Sequence, residues 1–168
     1  MTVNAVQKDA AAHTMIISTD LEATPERVWQ LWADPRQLER WWGPPSYPAT
    51  FTQLELKPGG RAQYYMTGPT GDTPAAGWVI VETNPPHSIV IKDHFEGQNG
   101  VPDPSFPVTT MYVTIEEIGN GKTRMTIKNE FPDVEGMEKL LAMGMEEGMT
   151  EAVGQIDAIL SAENGVRA

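Results

Sequence analysis

Six segments between Ala49 and Phe131 repeat one pattern. TFTQLEL, RAQYYMT, AGWVIVET, SIVIKDHFE, TTMYVTIEE and TRMTIKNEF each alternate apolar and polar residues or are dense in β-branched ones. The spacers KPGG, GPTGDTP, NPPH, GQNGVPDP and IGNGK carry the glycines, prolines and asparagines of tight turns. Strands joined by connections this short pair antiparallel, so the pattern dictates a meander. Such a sheet must bury one face against something.

The flanking sequence supplies the cover. Residues 13–21 (HTMIISTDL) read as a strand preceding the six. In TPERVWQLWAD, Thr24 is placed as N-cap and Pro25 as the first helical residue, and Val28, Leu31 and Trp32 fall on one face. Asp34-Pro35 repeats that start, so PRQLERWW is expected to make a second helix of about two turns, with Leu38, Trp41 and Trp42 on its apolar side. Gly43 is expected to close it in a left-handed conformation ahead of Pro44 and Pro45. After Pro132, about thirty residues with Leu141, Met145, Gly148, Met149, Ala152, Ile156 and Ile159 on one face predict a single long helix. The expected fold is α+β: a seven-stranded curved antiparallel sheet wrapped around a long C-terminal helix, with two short helices between strands one and two.

The chain's 168 residues suit one domain. Residues 13–163 are assigned to it, 1–12 to a flexible N-terminal arm and 164–168 to a C-terminal tail. The arm lacks the basic start and apolar core of a secretory signal and the chain has no cysteine, which together suggest a cytoplasmic protein. No apolar run approaches the roughly 20 residues of a membrane span, so no membrane insertion is expected. A net charge of −11 repels a phosphate backbone, so nucleic acid is not an expected partner. If exposed, Trp29 or Trp78 would mark a homodimer surface.

In this order TPERVWQLWADPRQLERWWGP, KPGGR, NPPHSIVIKD, TTMYVTI with GNGKTRMTI, and GMEEGMTEAVGQIDAIL resemble the helix-grip superfamily. This superfamily is also called START-like or SRPBCC and includes the birch-pollen allergen. Within it, the branch of activator-of-heat-shock-protein-90-ATPase homologues is the most similar, over about residues 14–160. The resemblance implies a cavity between sheet and C-terminal helix for an apolar or amphipathic small molecule. It also implies that Asp93 stands where the branch often has an aromatic, Asn129 where it often has histidine, and Met149 where it often has tryptophan.

Alternation and helical spacing then give the candidate ligand contacts. From the short helices come Val28, Trp32, Leu38, Trp41 and Trp42. The sheet contributes Tyr64, Met66, Val79, Ile91, Asp93, Phe95, Met111, Val113, Ile127 and Asn129. The last helix adds Met145, Gly148, Met149 and Ala152. Methionines 66, 111, 125, 145 and 149 are expected to converge, and thioethers adapt to irregular guests. Asp93 is the sharpest feature, because a carboxylate facing inward needs a donor, a water or a ligand. Asp93, Asn129 and Tyr64 are expected to fix the ligand's polar end. Trp41 is assigned to the core, and Trp42 with Trp32 to a roof over the cavity mouth.

His94 and Glu96 share a strand face, but without an evident third ligand they read as a solvated edge rather than a metal site. KPGGR and GPTGDT lead into strands and read as hairpins, not phosphate loops. No nucleophile elbow, P-loop, zinc-protease helix or dinucleotide fingerprint appears, so no cofactor, metal or catalytic residue is assigned. The primary reading is small-molecule binding. Behind it stand a cyclase- or hydrolase-like enzyme using Asp93 or His94, and, ranked last, co-chaperone-type protein binding. A cavity of roughly 300 Å³ or more with Asp93 at its wall would favour the first.

Overall fold

The computed structural model describes residues 3–97 and 101–167. It contains eight strands in one antiparallel sheet: β1 (Val3–Asp9), β2 (Thr14–Leu21), β3 (Ala49–Leu54), β4 (Arg61–Met66), β5 (Ala75–Asn84), β6 (Ser88–Glu96), β7 (Thr109–Gly119) and β8 (Lys122–Glu130). Their spatial order is β1-β2-β8-β7-β6-β5-β4-β3. The seven expected strands are present, and the eighth is β1. The expected N-terminal arm is therefore an edge strand over residues 3–9, paired to β2 from Val3↔Thr19 to Asp9↔Thr14. Lys8 ties it to Glu146 at 2.6 Å.

Helix α1 (Pro25–Ala33) starts as its sequence dictates, with the Thr24 hydroxyl accepting from the Arg27 N–H. Helix α2 is only Pro35–Leu38, one turn rather than two. Beyond it the chain continues as a tight turn in which the Trp41 and Trp42 N–H groups both donate to the Leu38 carbonyl. Gly43 is not left-handed. Glycine is required there for a different reason, since a Cβ would lie 2.1 Å from the Tyr47 carbonyl oxygen and 2.8 Å from the Ala49 nitrogen. The two backbone stretches pass closer than any side chain allows.

The expected single long helix is three: α3 (Val134–Ala142), α4 (Met145–Gly154) and α5 (Ile156–Arg167). The break between α3 and α4 falls at Gly144, where φ is +91°, a conformation that costs other residues about 1–2 kcal/mol. Gln155 alone separates α4 from α5. Helix α5 continues to Arg167, so residues 164–167, expected as a tail, are helical.

The core lies between the concave face of the sheet and the helices. Met15 and Ile17 of β2, Ile80 of β5, Ile91 of β6, Val113 and Ile115 of β7, and Met125 and Ile127 of β8 are buried there, and Val153, Ile156 and Leu160 face them from the helices. Arg27 of α1 clasps Glu163 of α5 through Nε and Nη2, fixing the short helices against the last one. No helix among the described residues is long and apolar enough to cross a membrane.

The close approach at Gly43 sets a clear expectation. Gly43→Ala should destabilise by about 2–3 kcal/mol or more, because backbone rather than a movable side chain must yield. Gly148→Ala, whose new Cβ meets nothing within 4 Å, should gain about 0.5–1 kcal/mol from helix propensity. Urea-unfolding midpoints of the two variants check the contrast.

Candidate functional site

A cavity of about 260 Å³ opens between the sheet and helices α3 and α4. It falls just under the expected size, at the lower edge of the roughly 300–1,000 Å³ typical of small-molecule sites. Of the candidate contacts, Trp41, Trp42, Tyr64, Met66, Asp93, Phe95, Met111, Met145, Gly148, Met149 and Ala152 line it. Strand parity places Tyr64, Asp93, Phe95 and Met111 inward. Gly144, by ending α3, starts α4 in the direction that brings Met145, Gly148, Met149 and Ala152 over them.

The other candidates stand elsewhere. Val28, Trp32 and Leu38 are fully buried in the core beneath α1 and α2. Trp32 is thus no roof; its indole N–H reaches the Met125 sulfur at 3.3 Å, which also removes Met125 from the cavity wall. Ile91, Val113 and Ile127 face inward but lie where the helices already fill the concave face. Val79 lies on the outer face, paired with Lys92 and Arg61, while its neighbour Trp78 is the inward residue. Trp78 is consequently 1% exposed and marks no dimer surface. Asn129 is fully buried against β2, where its Nδ2 donates to the Met15 carbonyl, and it does not touch the cavity.

Some lining residues escaped sequence reasoning. Ala76 and Thr109 share the parity of Trp78 and Met111, and that signal alone would have found them. Pro44 and Tyr47 come from the turn after α2, Pro107 from the segment before β7, Leu140 from α3 and Met143 from its C-terminal cap, ahead of the break at Gly144. Phe106 packs on Phe95 with ring centroids 4.9 Å apart, and Lys139 of α3 lies over Phe106 and donates to the Ser105 carbonyl. That wall is therefore joined to α3.

Trp41, Trp42 and Tyr64 make one wall aromatic, and they belong to a larger cluster that extends into the core. Trp32, Trp41, Trp42, Trp78, Tyr64 and Phe51 form a continuous cluster with neighbouring centroids 4.7–6.3 Å apart, mostly edge to face. Such pairs contribute about 0.5–1.5 kcal/mol each beyond burial. Trp41 is held by its indole N–H on the Leu31 carbonyl at 3.0 Å. The indole N–H groups of Trp42 and Trp78 are buried and make no hydrogen bond of good geometry among the described residues, although the Tyr64 hydroxyl lies near both and Asp93 near Trp78.

Asp93 is the carboxyl group of the cavity. It is half-buried, its remaining exposure being toward the cavity, and Oδ1 accepts from the Tyr64 hydroxyl at 3.2 Å. Desolvation pushes its pKa up to about 7, against the opposing influence of the Tyr64 hydroxyl and the nearby Trp78 indole. Burial, and then the Asp93 charge, drive the Tyr64 hydroxyl well above its ordinary value. The pair can hold a proton at neutral pH and exchange it with a bound molecule.

His94 and Glu96, expected as a solvated edge, are instead packed together on the face opposite Asp93. Their side chains are 9% and 7% exposed and 3.2 Å apart, in the space that Gly77 leaves by having no Cβ. Among the described residues, no three His, Cys, Asp or Glu groups cluster as a metal site requires.

The model of one protein family, described as Activator of Hsp90 ATPase homolog 1-like protein, matches residues 22–161. A protein from Arthrobacter aurescens, solved by solution NMR, is 45% identical, with 96% of this chain and 93% of that one covered and a TM-score of 0.92. The crystal structure of protein Ms6760 from Mycobacterium smegmatis is 41% identical over 94% of this chain and 96% of that one, with a TM-score of 0.86. A Rhodobacter sphaeroides protein shares the fold at 22% identity and a TM-score of 0.79, covering 94% of this chain and 98% of that one. No curated protein matches the chain.

The raised pKa of Asp93 has a defined effect on stability. The folded protein retains a proton that the unfolded chain releases near pH 3.8, so stability falls as pH rises from there to about 7. Asp93→Asn removes that loss and should stabilise by up to about 4 kcal/mol at pH 8, with the gain vanishing toward pH 4. Thermal unfolding of both proteins across that range measures it.

Proposed function

The chain belongs to the Activator of Hsp90 ATPase homolog 1-like family, and on that premise we propose that it binds an apolar or amphipathic small molecule between the sheet and α4. The fold of this family generally serves ligand binding. The observation that carries the reading is the make-up of the cavity: Met66, Met111, Met145 and Met149 surround a space of about 260 Å³, and one half-buried carboxyl group stands at its wall. Thioethers accommodate varied apolar shapes, and a lone polar group orients the guest. Gly148 keeps the α4 side of the space clear, since nothing lies within 4 Å of where its Cβ would be.

Asp93 favours a second reading, in which the bound molecule is also transformed by proton transfer. A carboxyl group that titrates near pH 7 can act as acid or base at neutral pH. Co-chaperone-type binding rests on the family's description alone.

Filling the space tests the primary reading. Gly148→Leu should leave stability unchanged or higher, because leucine is the better helix former, while weakening binding of the apolar fluorophore N-phenylnaphthylamine at least tenfold. Equal fluorescence titrations for the two proteins would sink the proposal. Native mass spectrometry of the protein as purified should show a retained small molecule in the parent and less in the variant.

A further inference from the structure

The cavity wall is one-sided in charge. Among the described residues its titratable members are Tyr47, Tyr64, Asp93 and His94, and no lysine or arginine lines it. The Tyr47 hydroxyl donates to Asp72 at 3.0 Å, and the His94 side chain pairs with Glu96 on the opposite face of β6. Burial keeps the Tyr64 hydroxyl neutral by driving its pKa well above the ordinary value. Asp93 is left as the side chain that can carry a charge into the space.

The protein does not use up that carboxyl group. Oδ1 accepts from the Tyr64 hydroxyl and the Trp78 indole stands beside the group, but a carboxylate offers about four acceptor positions, so about two remain. Asp93 is half-buried, and its remaining exposure is toward the cavity. A carboxylate drawn out of water needs a positive partner, and the lining supplies none. Without one the group holds its proton up to about pH 7.

The surroundings suit a cation. Trp41, Trp42, Tyr47, Tyr64 and Phe95 all line the space, and aromatic rings attract positive charge through their π faces. The net charge of −11 raises the concentration of cations around the chain and lowers that of anions. An anionic guest would meet no countercharge, and Asp93 would oppose it. A neutral alcohol could share a hydrogen bond with the carboxyl group but would gain nothing from its charge. An ammonium group gains from both, since its attraction to a carboxylate strengthens where water is scarce.

Building on the small-molecule reading, we propose that the guest is an apolar body carrying one protonated amine, whose ammonium group pairs with the Asp93 carboxylate. The methionine-lined part of the cavity takes the body. Any proton that Asp93 holds leaves to solvent as the ammonium arrives.

Phenylbutylamine, phenylbutanol and butylbenzene, compounds of nearly equal size, test the pairing when each is titrated calorimetrically into the full chain at pH 8. The amine should bind at least tenfold more tightly than the alcohol, and in Asp93→Asn the ratio of the two affinities should fall to about one. In carbon NMR spectra the titration of the Asp93 carboxyl carbon, identified by its disappearance in that variant, should move to lower pH with the amine bound and not with butylbenzene. Equal affinity for amine and alcohol, or a ratio unchanged in Asp93→Asn, would overturn the charge pairing and leave the apolar cavity standing. If none of the three binds, the small-molecule reading fails and this inference fails with it.

Discussion

The architecture depends on the seating of one short turn against the last helices. Gln155, the residue between α4 and α5, sends its Nε2 to the Gly43 carbonyl at 2.8 Å and the Trp41 carbonyl at 3.3 Å. Those carbonyls can reach it only because Gly43 lets the chain pass within touching distance of residues 47–49. Trp41 is locked by the same turn, its indole on Leu31 and its backbone on Gln155. A larger residue at position 43 would therefore disturb the turn, the tryptophan and the helix joint together. Because the turn and the short helices fill only one end of the concave face, the other end stays open beneath α4.

The open end has a physical character distinct from the filled one. In the filled half, aliphatic side chains of β2, β7 and β8 meet Val153, Ile156 and Leu160, and the indole N–H groups find protein acceptors. At the open half, unbranched thioethers replace branched side chains, and the Asp93 carboxyl stands at the wall with the Tyr64 hydroxyl on one of its oxygens. Two of the buried polar atoms without a partner among the described residues, Trp78 Nε1 and Asn129 Oδ1, belong to residues outside the cavity lining.

Most of the fold was readable because antiparallel strands carry their signature locally. Seven of eight strands follow from period two and turn residues. Strand β1 did not, since VNAVQKD has little apolar alternation and as an edge strand buries little. The break at Gly144 was hidden because helical spacing continues across it. The site was legible in part. In AGWVIVET both alternating sets are apolar, so period two does not choose between Trp78 and Val79, and it is Trp78 that shares the inward parity of Asp93. Asn129 was correctly placed inward, yet inward is not the same as cavity-facing. Which part of a concave face a helix covers depends on joints such as Gln155, and no local pattern encodes that. Trp32, expected at the cavity mouth, is set in the core by the same kind of long-range fit.

The order of strands also governs how the chain can come together as it is made. Met15 and Asn129 are joined directly although they stand 114 positions apart in the chain. Strands β3 to β7 can pair with neighbours as each emerges, but β2 must wait for β8 before its inner edge is covered. During that interval the β1–β2 hairpin is an apolar ribbon with an open edge, the kind of surface that attracts other chains. The charged Lys8 and Asp9 at the end of β1 lie on this waiting segment. Closure of the sheet is thus a late, long-range event in a molecule whose other pairings are nearly all local.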